Sequence, residues 1–145
     1  MKFNNKYHQR LYDEWIQHSK IIVATDFDDT ISPWKFQSED DIKEINKLIQ
    51  LLIEIKQIGA YIVIFTACNP DRYPDITKYC LDKGLTIDGI NTTPVDLPYG
   101  KTNKIYANIF LDDRAGLNES IETLREVMYY VRAYKYSQVH RDEIG

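Results

Sequence analysis

The ten residues Ile21-Ile22-Val23-Ala24-Thr25-Asp26-Phe27-Asp28-Asp29-Thr30 constrain this chain more than any other stretch. An apolar run ends abruptly in three aspartates and a threonine. Short apolar runs with polar bounds read as strands of a parallel sheet, buried on both faces. In an open α/β sheet the residues just past a strand's carboxyl end line the ligand crevice. Carboxylates gathered there repel one another unless a cation or a proton offsets the charge. Asp26 and Asp28 therefore point to a metal-assisted acid site, and the rest of the chain must supply its partners.

The 145 residues suit one domain with its own core. Hydrophobic residues make up 43% and charged residues 28%, which is a soluble, globular composition. A net charge of -4 denies the chain a general grip on nucleic acid, which wants a basic face, but leaves room to recognise a single phosphate. No apolar run approaches the length of about 20 residues that spans a bilayer, so no membrane partner is expected. The opening residues Met1 to Lys6 lack the apolar core of a signal peptide. Cys68 and Cys80 do not make a disulfide framework, and a reduced, cytoplasmic setting is the expectation. The sequons at Asn91 and Asn118 then carry no meaning.

Periodicity predicts the elements. A short amphipathic helix over 6–18, through Tyr7, Leu11, Tyr12, Trp15 and Ile16, forms an N-terminal extension (1–19) ahead of a core at 20–137 and a tail at 138–145. The first strand falls at about 20–26. Ser38 before Glu39, Asp40 and Asp41 is an N-cap with an acidic first turn, opening a helix over 39–58 that Gly59 ends. A strand at 61–65 runs into Thr66, a helix covers 71–83 up to Gly84, and a third strand lies at 86–90. A polar loop (91–103) leads to a fourth strand at 105–111, and a last helix spans 117–136. Strands alternating with helices give an α/β fold. The expected architecture is a single-domain three-layer sandwich, a Rossmann-like central parallel sheet with helices on both faces. Only 36 residues separate Asp29 from Thr66, and one helix uses most of them, so no cap domain fits.

Parallel strands share one carboxyl edge, so Asp26 and Asp28, Thr66, and the pair Asp112-Asp113 converge although they are far apart in sequence. Lys104 immediately precedes the fourth strand and reaches that edge only if the loop before it folds back across the top. In these residues the chain resembles the haloacid dehalogenase-like phosphohydrolases. The four motifs of that superfamily map onto DFDDT at 26–30, Thr66, Lys104 and the acidic pair in Ile109-Phe110-Leu111-Asp112-Asp113. The stretches 104–114 and 87–91 resemble its small, capless members. Asp29 stands where the commonest family pattern has glycine.

The resemblance implies a Mg²⁺-dependent phosphomonoesterase. Asp26 would attack phosphorus to form an aspartyl-phosphate, and Asp28 would protonate the leaving oxygen and then deprotonate water. Mg²⁺ would be held by Asp26, Asp113, the backbone carbonyl of Asp28 and, through water, Asp112. Thr66 and Lys104 would hold phosphoryl oxygens, with Phe27, Asp29, Thr30, Ala67 and Asn91 lining the phosphate. Lys101 competes with Lys104 for that role.

Capless members act on large or exposed phosphoesters, so the expected partner is a phosphorylated small molecule or an exposed phosphoester. A polynucleotide 3′-phosphatase-like, sugar-phosphate or nucleotide activity fits that class, although the charge does not favour a nucleic-acid end. A homo-oligomer, in which a partner subunit encloses the crevice, also fits. Two other classes stand beside this one: a phosphorylation-receiver module and a non-catalytic phosphate-binding domain. Asp26 and Asp28 have the i, i+2 spacing of nucleophile and acid, which a receiver lacks. The loop 91–100, with Tyr99, is a candidate local lid. Asn69, Arg72 and Arg114 are candidate substrate contacts. Cys68 has no histidine placed to activate it, and the aromatic cluster at 128–136 reads first as helix packing.

Overall fold

The structure is a computed structural model and describes residues 3–93 and 106–144. Every residue of the first strand, β1 (Ile21–Thr25), is buried. Side chains alternate between the two faces of a strand, so burial at five successive positions requires cover on both sides. β1 accordingly lies inside a four-stranded, all-parallel sheet. β2 (Ala60–Ile64) pairs with it on one side and β4 (Ile109–Leu111) on the other, and β3 (Gly89–Ile90) adds beyond β2, for the order β3-β2-β1-β4. With helices packed around this sheet, the chain has an α/β fold.

The helices follow local signals closely. α1 (Lys6–His18) is capped by the Asn5 side chain, which accepts from the N–H groups of Tyr7 and His8. Its apolar stripe buries Leu11, Tyr12 and Trp15, and the Trp15 indole donates to the Ile58 carbonyl at 2.9 Å. α2 (Glu39–Lys56) opens on a capping box: Ser38 Oγ accepts from the Asp41 N–H while the Asp41 carboxylate accepts from the Ser38 N–H. Gly59 then turns the chain at φ 104°, where a Cβ would collide with the Ser19 carbonyl oxygen. α3 (Tyr73–Asp82) follows a 3-10 turn at Pro70–Arg72. α4 (Leu117–Ile144) packs on α1 and runs well past the predicted end at 136, through the stretch expected to be a tail. No glycine or proline lies between Leu117 and Ile144 to stop it. No helix among the described residues is long and apolar enough to cross a membrane.

The two outer strands are shorter than their sequence pattern suggests, and for the same reason. Alternation predicts strand over 86–90, yet ladder geometry holds only at Gly89–Ile90. Just before them, the Asp88 N–H donates to the Ile62 carbonyl while the Asp88 carboxylate accepts from the Ile62 N–H, each at 2.7 Å. Asn108 does likewise ahead of β4: its N–H donates to the Ile22 carbonyl at 2.8 Å and its side-chain oxygen accepts from the Ile22 N–H at 2.7 Å. A side chain therefore closes the first rung at each strand and pins its register.

Asp88 is also paired with Lys56 at 2.7 Å, tying β3 to the end of α2. Removing its carboxylate strands the Ile62 N–H and the ammonium together. Asp88→Ala is expected to lower unfolding stability by about 1–3 kcal/mol in urea, with an unchanged m-value. A loss below about 0.3 kcal/mol would show that water replaces the carboxylate without cost.

Candidate active site

The chain leaves β1 toward β2 and β3, then returns to the other side of β1 as β4. That reversal opens the crevice of an α/β sheet at the carboxyl ends of β1 and β4. The Asp26 N–H donates to the Leu111 carbonyl at 2.7 Å, carrying the ladder one residue beyond β1. Asp26 and the Asp112-Asp113 pair are thereby neighbours. One carboxylate oxygen from each of Asp26, Asp112 and Asp113 lies within 4.8 Å of the others, and all three residues are half-buried. The buried Thr30 joins them: its hydroxyl lies 3.4 Å from Asp26 Oδ2 and 3.4 Å from Asp113 Oδ1, and it accepts from the Asp113 N–H at 3.3 Å.

Three like charges so close are costly. Burial pushes the Asp26 carboxyl up to about 6, reinforced by its hydrogen bond with Asp113 and by repulsion from Asp112 and Asp113, against the lowering by the Phe27 N–H. Hard oxygen donors at this spacing are the chemistry that Mg²⁺ or Ca²⁺ takes, and a divalent cation would relieve the repulsion that burial sharpens. The donor set fits such an ion.

The Asp28 carboxylate is not in this group. It lies 3.4 Å from the Arg72 guanidinium, and the hydrogen bond raises Arg72 above its usual range. Phe27 contributes its backbone, since its ring is buried edge-on against Tyr79, 5.4 Å between centroids. Its carbonyl accepts from the N–H groups of Thr30, Ile31 and Ser32, winding a tight turn that brings Thr30 back beneath Asp26.

Asp29 also points away from the phosphate role expected of it. It sits at φ 60°, and its Oδ1 accepts from the N–H groups of Trp34, Lys35 and Phe36 at 2.8–3.0 Å. Burial alone would raise its carboxyl, but the three N–H groups outweigh that and hold it below the usual carboxylate range. Asp29 is therefore a clasp for the loop 34–36. The glycine of the commonest pattern suits this φ, and aspartate tolerates it better than most residues.

Thr66 follows β2 at the same edge, half-buried, with Ala67 exposed beside it. Asn91, at φ 54° after β3, spends its side chain on Thr66: its oxygen accepts from the Thr66 N–H at 2.9 Å, and its NH₂ donates to the Thr66 carbonyl at 2.7 Å and to the Tyr73 hydroxyl at 2.8 Å. Asn91 is a positioning residue for Thr66. Arg114 is exposed and gives its backbone N–H to Asp112 Oδ1. Lys104, Lys101 and the Tyr99 part of the candidate lid lie outside the described residues. Sequence reasoning passed over Tyr73, at the start of α3, whose hydroxyl accepts from Asn91; only the fold brings the two together.

Two outcomes follow from this geometry. Asp29→Gly keeps the backbone conformation and loses the clasp, whereas Asp29→Ala loses both. The alanine variant is expected to be the less stable of the two by about 1 kcal/mol in chemical denaturation. Equal stabilities would mean that the positive φ relaxes freely. Asp113→Asn removes one of three crowded charges, so in chelator it should be at least as stable as the parent chain. In excess Mg²⁺ the order should invert, because binding at 100 times Kd stabilises the parent by about 2.7 kcal/mol. A thermal-shift series in which Mg²⁺ moves neither protein would remove the cation site.

No protein-family model matches the chain, and no curated protein matches it. Among solved structures it is similar to a conserved protein coded by a locus from Bacteroides thetaiotaomicron, with 19% identity and a TM-score of 0.51 over 66% of this chain and 77% of that one. At this identity the likeness speaks for the α/β fold.

Proposed function

We propose that this chain is a Mg²⁺-dependent phosphohydrolase of the haloacid dehalogenase-like kind, cleaving phosphomonoesters through an aspartyl-phosphate on Asp26. The observation that carries the reading is the meeting of Asp26, Asp112 and Asp113 at the mouth of the sheet, from segments more than eighty residues apart. Thr66 stands on the same edge, and Arg72 is tied to Asp28.

In the first step an Asp26 carboxylate oxygen forms a bond to phosphorus, the bond from phosphorus to the leaving oxygen breaks, and Asp28 gives that oxygen a proton. In the second, Asp28 takes a proton from water, the water oxygen bonds to phosphorus, and the bond to Asp26 breaks, releasing inorganic phosphate. The Thr66 hydroxyl and nearby backbone N–H groups hold phosphoryl oxygens as charge moves. Asp26, Asp113, the Asp28 carbonyl and Asp112 would hold Mg²⁺, which when bound supplies positive charge against the phosphoryl group and Asp26.

Phosphate release from para-nitrophenyl phosphate tests this directly. Activity is expected with Mg²⁺, to vanish in chelator, and to fall by at least about 10³-fold in Asp26→Asn. Thr66→Ala, which leaves the nucleophile intact, is expected to lose about 10²-fold. Turnover surviving in Asp26→Asn would end the covalent mechanism. A phosphorylated protein that never turns over would favour a receiver.

A further inference from the structure

Asp28 stands two residues from Asp26, yet its carboxylate lies outside the acidic triad of Asp26, Asp112 and Asp113. Its partner is Arg72, whose Nη1 donates to Asp28 Oδ2 at 3.4 Å. The two residues are 44 positions apart, so the fold makes this contact. Arg72 ends a 3-10 turn that Asn69 caps and Pro70 opens. Asn91 fastens the stretch 66–73, which carries that turn, at both ends. Its side-chain oxygen accepts from the Thr66 N–H, and its NH₂ donates to the Thr66 carbonyl and to the Tyr73 hydroxyl. Arg72 adjoins the second tie, so the backbone that aims its guanidinium is set before any substrate arrives.

We propose that Arg72 is the positioning residue for Asp28, holding its carboxylate off the cation site and turned to exchange a proton with the leaving oxygen. This role rests on the phosphohydrolase reading and adds a residue to its machinery. A carboxylate beside a divalent cation has two fates. Hard oxygen donors ligate such ions readily, and a carboxylate drawn into the ion's shell is lost to proton exchange. The guanidinium is the competing partner. It engages Oδ2 and leaves Oδ1 for the proton. A guanidinium is a donor only and stays charged, so it neither takes the proton from Asp28 nor supplies one in its place. Arg72 acts through Asp28 and touches no reacting atom.

The leaving group reads this role. para-Nitrophenolate departs without a proton, whereas the alkoxide of β-glycerophosphate needs one. The full chain in Mg²⁺ is assayed on both esters through kcat/KM, which covers the departure of the leaving group. Arg72→Ala is expected to lose at least about 10-fold more on β-glycerophosphate than on para-nitrophenyl phosphate, the pattern also expected of Asp28→Asn. The double variant should be no worse on the alkyl ester than Asp28→Asn alone, because the two residues act as one unit. Added guanidinium should restore part of the alkyl-ester rate to Arg72→Ala and none to Asp28→Asn.

The ion pair is half-exposed, so its loss costs the fold little and Arg72→Ala is expected to melt with the parent chain. The ratio between esters is read within one preparation, so partial unfolding cancels from it. Equal losses on the two esters, or losses that multiply in the double variant, would overturn the positioning role while phosphate release continues. So would a rise of about 10-fold or more in the inhibition constant of inorganic phosphate, which would give Arg72 to the phosphoryl group instead. A parent chain that releases phosphate from neither ester defeats the phosphohydrolase reading, and the role of Arg72 with it.

Discussion

The pairing register of β1 with β4 is the constraint on which the site depends. Thr25 stands opposite Leu111, so the residues that follow each strand emerge side by side. A slip of one residue would send Asp112 to the other face of the sheet and scatter the carboxylates. A three-residue strand has few rungs with which to resist such a slip. The register is instead clamped at both ends, by Asn108 closing the rung with Ile22 and by the Asp26 N–H reaching Leu111. The nucleophile proposed here is thus also the last tie of the ladder that aligns its neighbours. Packing and chemistry meet in one residue.

The DFDDT motif assigns its three aspartates to three duties through environment alone. Asp26 faces two carboxylates and Thr30, Asp28 faces Arg72, and Asp29 faces three backbone N–H groups. Identical side chains within four positions are made different by what surrounds them: burial, with its neighbouring carboxylates, raises the first, whereas hydrogen bonds lower the third. The turn wound on the Phe27 carbonyl makes the division possible, because it points successive residues in different directions.

This division also shows which parts of the molecule were legible in advance. The apolar runs read as strands at about 20–26 and 61–65, the Ser38 cap and the glycines that end α2 and α3 are local signals, and the elements stand within a residue or two of where those signals put them. The convergence of Asp26 with Asp112-Asp113 followed from the parallel sheet itself. The outer strands were overread, because alternation cannot reveal that Asp88 and Asn108 replace a ladder rung with a side chain. The purposes of Asp29 and Asn91 were likewise hidden. Both are polar residues beside a presumed phosphate site, and both turn out to fasten backbone; that distinction depends on contacts five to twenty-five residues away.

Charge in the crevice bears on the order of events in the proposed reaction. Among the described residues the carboxylates of Asp26, Asp112 and Asp113 cluster there, while Asp28 is paired with Arg72. Two unit charges about 4 Å apart interact by about 4 kcal/mol at the effective dielectric of a protein surface. A phosphate dianion approaching three uncompensated carboxylates would face that repulsion several times over. A divalent cation reverses the sign of the local field, and the same three carboxylates that bar the anion are the donors that would attract the cation. In the proposed reaction cation and phosphoester would therefore be coupled ligands, each favouring the other through the electrostatics of one triad.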